Sequence, residues 1–260
     1  MRGQKILLTG ATSGFGAGTA VGLARAGHRV TVGGETWQQV TAFREQAEAA
    51  GVNLDVIKLD LLNEYDLQRA AAVEPEVLVL NAAVQEAGSI VDVPMELVRR
   101  SFEINVFAQL ELARRILTRM TKRKKGRIVW VSSMAGLYAP PWLGSYAATK
   151  HAIEAIASVM RTELHLSRIS VATINPGLYD TGFNDTGAES YQQWSRDAAL
   201  LSPMPPAGPI LLAQRDPQEM IDAMVEVIPD RHSAYRTMRP DEAVTLTKRQ
   251  QAHAWEARAL

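Results

Sequence analysis

The 260-residue chain carries 28 basic and 28 acidic residues, is 47% hydrophobic and contains no cysteine. Neutral balance removes any global attraction to nucleic acid or anionic membrane. Missing thiols exclude disulfides and thiolate metal sites, and five scattered histidines offer no ligand spacing. The opening MRGQKILLTG holds too short an apolar run for a secretory core or a membrane span, so the expectation is a cytoplasmic, metal-free protein with no nucleic-acid or membrane partner.

In chain order, short leucine-rich or β-branched runs alternate with helical stretches. Lys5–Thr9 (KILLT) leads into a helix to Ala26, Arg29–Gly33 (RVTVG) into a helix to about Ala50, and Leu54–Asp60 (LDVIKLD) into a short helix. Glu76–Asn81 (EVLVLN) precedes one long helix, Gly126–Ser133 (GRIVWVSS) a second, and Ile169–Pro176 (ISVATINP) follows. Regular βα alternation predicts an α/β fold: a doubly wound, Rossmann-like, mostly parallel sheet with helices on both faces, filling one domain over residues 1–260. Residues 177–215 break the rhythm with SPMPPAGP and several aromatics. A stretch this long and irregular is expected to be a substrate-side loop or lid, and residues 240–260 a polar helical tail. The basic run TKRKKGR, Thr121–Arg127, ends a long helix, where cations complement the helix dipole; it reads as a solvated cap.

Two stretches carry chemistry. In LLTGATSGFGAG the first strand runs through Gly10, Gly14 and Gly16 into a helix. Glycines there permit a tight turn and close backbone approach, and the helix N-terminus offers N–H groups to a pyrophosphate. The spacing is G-x3-G-x-G rather than G-x-G-x-x-G, and close packing alone is the competing explanation. In GSYAATKHAIEAIA, Tyr146 and Lys150 stand at i and i+4 and so share one helix face. Ser132 and Ser133 end the preceding strand, and strand ends are where open α/β sheets keep their sites.

Together these motifs resemble the short-chain dehydrogenase/reductase family in its compact single-domain form, over at least Lys5 to Thr181. The resemblance implies an NAD(P)-dependent oxidoreductase that interconverts a secondary alcohol and a ketone by hydride transfer. It implies that Gly10, Gly14 and Gly16 line the pyrophosphate with Thr12, Ser13 and Phe15 beside it, that Asp60 and Leu61 meet the adenine, and that Asn81 and Ala82 stand for the family's N-N-A-G, with departures at Leu80 and Ala83. Pro176, Gly177 and Thr181 then correspond to the segment at the nicotinamide carboxamide. Asn105, Ser133, Tyr146 and Lys150 match the catalytic asparagine, serine, tyrosine and lysine, with Tyr146 and Lys150 also holding the cofactor. A homodimer or homotetramer, packed through the helix ending near Met120 and the one carrying Tyr146, is implied as well.

Physical chemistry gives these residues roles. A lysine charge about 4 Å from the phenol, at an effective dielectric of about 20, is worth about 4 kcal/mol, which lowers a tyrosine pKa from about 10 to near 7. Ser133 would hold the substrate oxygen against Tyr146. Trp142, Tyr179, Phe183 and Trp194 stand near this region as substrate contacts or as core. The second strand ends in Gly33, Gly34 and Glu35, without the arginine that an adenosine 2′-phosphate requires, so NAD is the preferred cofactor and NADP the alternative. A dinucleotide-sensing regulator would keep the glycine loop without needing Ser133, Tyr146 and Lys150. A related lyase or epimerase would use a larger sugar-nucleotide region.

Overall fold

The computed structural model describes residues 3–196, 198–205 and 214–259. The chain runs β1 (Lys5–Leu8), α1 (Gly14–Arg25), β2 (Arg29–Gly34), α2 (Trp37–Ala49), β3 (Asp55–Lys58), α3 (Glu64–Ala72), β4 (Val77–Leu80), α4 (Met95–Phe102), α5 (Gln109–Arg123), β5 (Gly126–Val131), α6 (Gly144–Glu163), β6 (Ile169–Pro176), α7 (Phe183–Ser195), α8 (Gln218–Val227), β7 (Arg236–Arg239) and α9 (Asp241–Glu256). The strands form one sheet of order β3-β2-β1-β4-β5-β6-β7, every neighbouring pair parallel. This is the doubly wound, Rossmann-like sheet. The order reverses between β1 and β4, where a crevice opens at the strand C-termini.

Strands covered on both faces need continuous apolar runs, and β4 (VLVL) and β5 (GRIVWV) are buried at every position. One layer of core lies under α1 and α8, with Ile6, Leu8, Val79 and Val129 meeting Leu23 and Met224; the other lies under α5 and α6, with Leu7, Leu78, Ile128 and Trp130 meeting Leu112 and Ile153. Burying each such side chain contributes roughly 1.5–3 kcal/mol. Arg127 is the polar exception at 2% exposure. Its guanidinium donates to Ile228 O at 2.9 Å, Val227 O at 3.1 Å and Ser233 Oγ at 2.7 Å, closing the carbonyl end of α8.

Two elements differ from the sequence expectation. The stretch expected to be an irregular loop contains the 13-residue helix α7; the remainder of that expectation falls partly on residues 197 and 206–213, outside the described ones. The long helix before β5 is interrupted between α4 and α5 by a widened, π-type turn, Glu103–Ala108, that carries Asn105. No helix among the described residues is long and apolar enough to cross a membrane, and no group of metal-ligating side chains occurs among them.

Candidate active site

A cleft of about 1150 Å³ follows the C-terminal ends of β1, β4, β5 and β6 from the glycine loop to α7. Gly10 has φ +57°, and a Cβ there would come within 2.6 Å of Ala82 Cα; at Gly16 a Cβ would come within 2.5 Å of Ala11 Cα. The loop therefore lies tight on the turn after β4. Asn81 Nδ2 fastens it, donating to Thr9 O at 3.0 Å and Gly10 O at 2.9 Å. Ser13 precedes α1 without making a side-chain cap, which leaves the first-turn N–H groups and the positive end of the helix dipole open to the cleft. Ser13, Gly14, Phe15 and Gly16 line that end, and Thr181 lies 3.3 Å from the position of a Cβ on Gly14. Pro176 and Gly177 continue the wall. A pyrophosphate fits this cradle, which offers N–H donors and no carboxylate within the loop.

The adenosine end differs in detail from the expectation. Thr12 is not in the cleft wall; a Cβ on Gly34 would approach its Cγ2 to 2.9 Å, so the two pack against each other. Asp60 and Leu61 also lie outside the wall: Asp60 Oδ1 accepts from Leu62 N at 2.9 Å in a local turn, and Leu61 is buried in the core. Ala82 supports the wall from behind, its carbonyl accepting from Gln109 Nε2 at 2.7 Å. Glu35 is exposed and in the wall; α2 is capped by Thr36 and Gln39, not by Glu35, so its carboxylate is free of that duty.

At the reacting end, Ser133 leaves β5 in extended backbone. Its Oγ accepts from Ala135 N at 3.1 Å and lines the cleft. Tyr146 and Lys150 lie one turn apart on α6, 8% and 1% exposed. Lys150 Nζ donates to Val131 O at 2.9 Å and sits 5.5 Å from the Tyr146 ring centre. Asn105 is fully buried and makes no hydrogen bond to either. Its Oδ1 accepts from Val84 N at 2.8 Å, and its Nδ2 donates to Val84 O at 2.9 Å and Thr149 Oγ1 at 3.1 Å, so it braces the segment after β4 against α6.

The Tyr146 pKa is raised, not depressed as expected. Burial pushes the phenol above its ordinary value, against a weaker opposing pull from a hydrogen bond with Ser133. Burial likewise lowers Lys150 to about 7, opposed by the charge of Glu154. Enclosure penalises phenolate and ammonium alike, so desolvation outweighs the screened attraction between them.

Of the four aromatics, Phe183 packs tilted against Tyr146 with ring centres 5.7 Å apart, and Trp194 lies over Gly88; both line the cleft. Tyr179 is 2% exposed and edge-on to Phe15 in the core, although part of it reaches the wall. Trp142 stands outside, its carbonyl accepting from Gly88 N at 2.8 Å.

Sequence reasoning missed two groups. Gln85 and Glu86, just beyond β4, form part of the cleft wall under α7. Glu154, one turn past Lys150, lies behind the site. The same i, i+4 spacing that singles out Lys150 points to Glu154, and the polar pair QE beyond the end of an apolar strand was the signal for the other two.

The family model described as short chain dehydrogenase matches residues 4–192. An uncharacterized oxidoreductase of Bacillus subtilis, YusZ, is 31% identical over 241 residues, covering 87% of this chain and 85% of its own. A 3-ketodihydrosphingosine reductase of Bacteroides thetaiotaomicron is 30% identical over 191 residues, covering 71% and 67%. The crystal structure of a short-chain dehydrogenase from Streptomyces avermitilis superposes with a TM-score of 0.78 at 22% identity, covering 97% of this chain and 94% of that one; it shares the fold.

Proposed function

The chain belongs to the short-chain dehydrogenase family of oxidoreductases, and from that premise we propose that it interconverts a secondary alcohol and a ketone with a nicotinamide dinucleotide. One observation carries the reading: the glycine cradle and the Ser133–Tyr146–Lys150 set line a single continuous cleft. A dinucleotide sensor would have no use for the second half of that cleft.

In this reading Ser13–Gly16 and Asn81 hold the pyrophosphate end, while Lys150, Gly177 and Thr181 hold the nicotinamide end. The dinucleotide, when bound, supplies or receives the hydride. The chain manages the proton. Ser133 Oγ donates to the substrate oxygen and fixes it beside Tyr146 Oη. In reduction Tyr146 gives its proton to the oxygen as negative charge develops there; in oxidation it takes that proton back. Burial keeps the phenol protonated at neutral pH, which favours the reductive role until a second positive charge joins Lys150. Lys150 steadies the phenolate as it forms. Asn105 acts through others, holding Val84 and α6 in register. Phe183 covers Tyr146 and limits water there. The protein would work as a homo-oligomer in the cytoplasm.

The test is a screen of ketones and secondary alcohols followed by nicotinamide absorbance. Turnover that is lost in Ser133→Ala and Tyr146→Phe supports the reading. Binding of dinucleotide with no turnover of any carbonyl or carbinol compound would favour the sensor.

A further inference from the structure

Resting on that oxidoreductase reading, we propose that the substrate carries a hydrogen-bond donor, a hydroxyl or a protonated amine, several bonds from its reacting carbon, and that Glu86 receives it. Glu86 is 4% exposed and lines the same cleft as Tyr146. It takes part in no ion pair among the described residues. Its one hydrogen-bond partner there is Ser190 Oγ on α7, which donates to Oε2; the other carboxylate oxygen receives nothing. A nearly enclosed carboxylate with one neutral donor, no cation and Oε1 still open to the cleft is left incompletely satisfied by the fold. It suits a wall that waits for a donor from outside.

The neighbouring groups point the same way. Gln85 is 5% exposed and its Nε2 has no partner, but that nitrogen is enclosed under Gly187, so the open capacity of the polar wall is the acceptor of Glu86. The contrasting wall is apolar: Met134, Tyr138, Leu178 and Leu246 form one cluster that also lines the cleft. A pure hydrocarbon ketone would be well served by the second wall and would leave the first unsatisfied.

Helix geometry sets the distance. Along α7 Phe183 covers Tyr146, Gly187 lies on Gln85, Ser190 meets Glu86 and Trp194 lies on Gly88, a stripe at i, i+4, i+7 and i+11. From Phe183 to Ser190 the axis advances roughly 10 Å at about 1.5 Å per residue. The donor therefore belongs at the far end of a substrate of some length, not on the atom next to the carbonyl.

A purely structural role is the alternative, with Glu86 latching α7 through Ser190. The experiment separates them. A homologous series of methyl ketones is prepared whose far end is hydroxyl, ammonium, methyl or carboxylate, and kcat/KM is measured on the full chain with nicotinamide cofactor. Wild type is expected to prefer the hydroxyl or ammonium end over the methyl end by about tenfold to a hundredfold at the best chain length, with carboxylate poorest. Glu86→Gln keeps an acceptor for Ser190 but loses the charge, and should bring donor and methyl ends to within about threefold of each other. Ser190→Ala removes the latch and should keep the preference. Wild type indifferent to the far end, or Glu86→Gln as discriminating as wild type, would overturn the proposal. The same four ends are also ranked by dissociation constant through intrinsic tryptophan fluorescence: the donor-first ranking supports the proposal and its absence overturns it, even if no ketone is reduced. Failure of hydride transfer alone sinks the oxidoreductase reading.

Discussion

Glu154 Oε1 accepts a 2.6 Å hydrogen bond from Asn175 Nδ2, and the same nitrogen donates to Ser133 O at 3.0 Å. Glu154 Oε2 is paired with Arg236 at 2.6 Å. A carboxylate on α6 thus holds the end of β6, the edge strand β7 and the backbone of Ser133 together, one turn from Lys150. Its charge also opposes the burial that lowers Lys150 to about 7. Glu154→Gln keeps an acceptor for Asn175 but removes the charge, so Lys150 should lose its proton at lower pH. If kcat/KM needs the protonated lysine, its alkaline limb moves down. A fall of about three- to tenfold at pH 8, with little change at pH 6, is the expected profile. An unmoved limb would leave Glu154 a purely structural residue.

Tyr146→Phe removes only a hydroxyl from a side chain that packs against Ala135, Ala147 and Phe183. Folding and dinucleotide binding should survive, and kcat should fall by at least about a hundredfold, the usual scale of general acid–base assistance. Thermal unfolding and dinucleotide titration serve as controls; near-normal turnover would take Tyr146 out of the mechanism.

Lys150→Met gives a stability prediction with a definite sign. Lys150 titrates at about 7 in the fold against an ordinary value of 10.5. Between those values the unfolded chain binds a proton that the folded chain does not, so wild-type stability rises with pH over that window and carries its full deficit below it. Removing the amine should make the variant more stable near pH 7, on the order of a few kcal/mol less about 1 kcal/mol for the lost bond to Val131 O, with the advantage vanishing towards pH 10.5. Denaturant unfolding at several pH values reads this directly. Dinucleotide affinity should fall in the same variant, and more than in Tyr146→Phe.

These residues also show what the sequence could and could not disclose. Tyr146 and Lys150 were legible because helix spacing puts i and i+4 on one face and Ser133 ends the strand before them, and the parallel, doubly wound sheet followed from apolar runs at regular intervals. Asn105 was legible as part of a motif, but its bonds to Val84 and Thr149 depend on the widened turn between α4 and α5, for which the sequence offered no signal. The helix α7 escaped notice because the stripe it turns to the cleft is Phe183, Gly187, Ser190 and Trp194, with no aliphatic residue to give a 3.6-residue period. Desolvation of Lys150 could not be read at all, since it depends on Val131, Glu154 and the closure of the core around them.

The docking of α7 can be loosened from the other side. Gly88 has φ +123°, and a Cβ there would meet Trp194 Cζ2 at 2.3 Å. Gly88→Ala combines a disfavoured backbone with a clash and should lift the end of α7. Proteolytic cleavage within α7 should then be faster than in wild type, and added dinucleotide with substrate should slow it if the helix closes over the bound pair. Unchanged cleavage would show that the Trp194–Gly88 contact does not hold the helix down.

Cofactor choice turns on Glu35. At the end of β2, Gly34 leaves no room for the acidic side chain that NAD-binding relatives of this fold place there, because a Cβ would press on Thr12 Cγ2 at 2.9 Å. The next residue, Glu35, is exposed, lines the cleft and takes no part in capping α2, where Thr36 and Gln39 satisfy the first turn. No lysine or arginine other than Arg100 and Lys150 lines this cleft among the described residues, and neither belongs to the glycine loop or to the end of β2. A carboxylate about 5 Å from a phosphate of charge near −2 is repelled by several kcal/mol at a dielectric of about 20, of which screening by water and salt leaves about 1.5–3 kcal/mol. The expected preference for NAD over NADP is therefore roughly tenfold to a hundredfold in kcat/KM. Glu35→Arg replaces repulsion with attraction on an exposed side chain, where neither folding nor the cap of α2 depends on the carboxylate, and should weaken or reverse the preference. Wild-type protein that uses NADP as well as or better than NAD would show that the carboxylate turns away from the ribose and that this end of the cleft chooses its cofactor by other means.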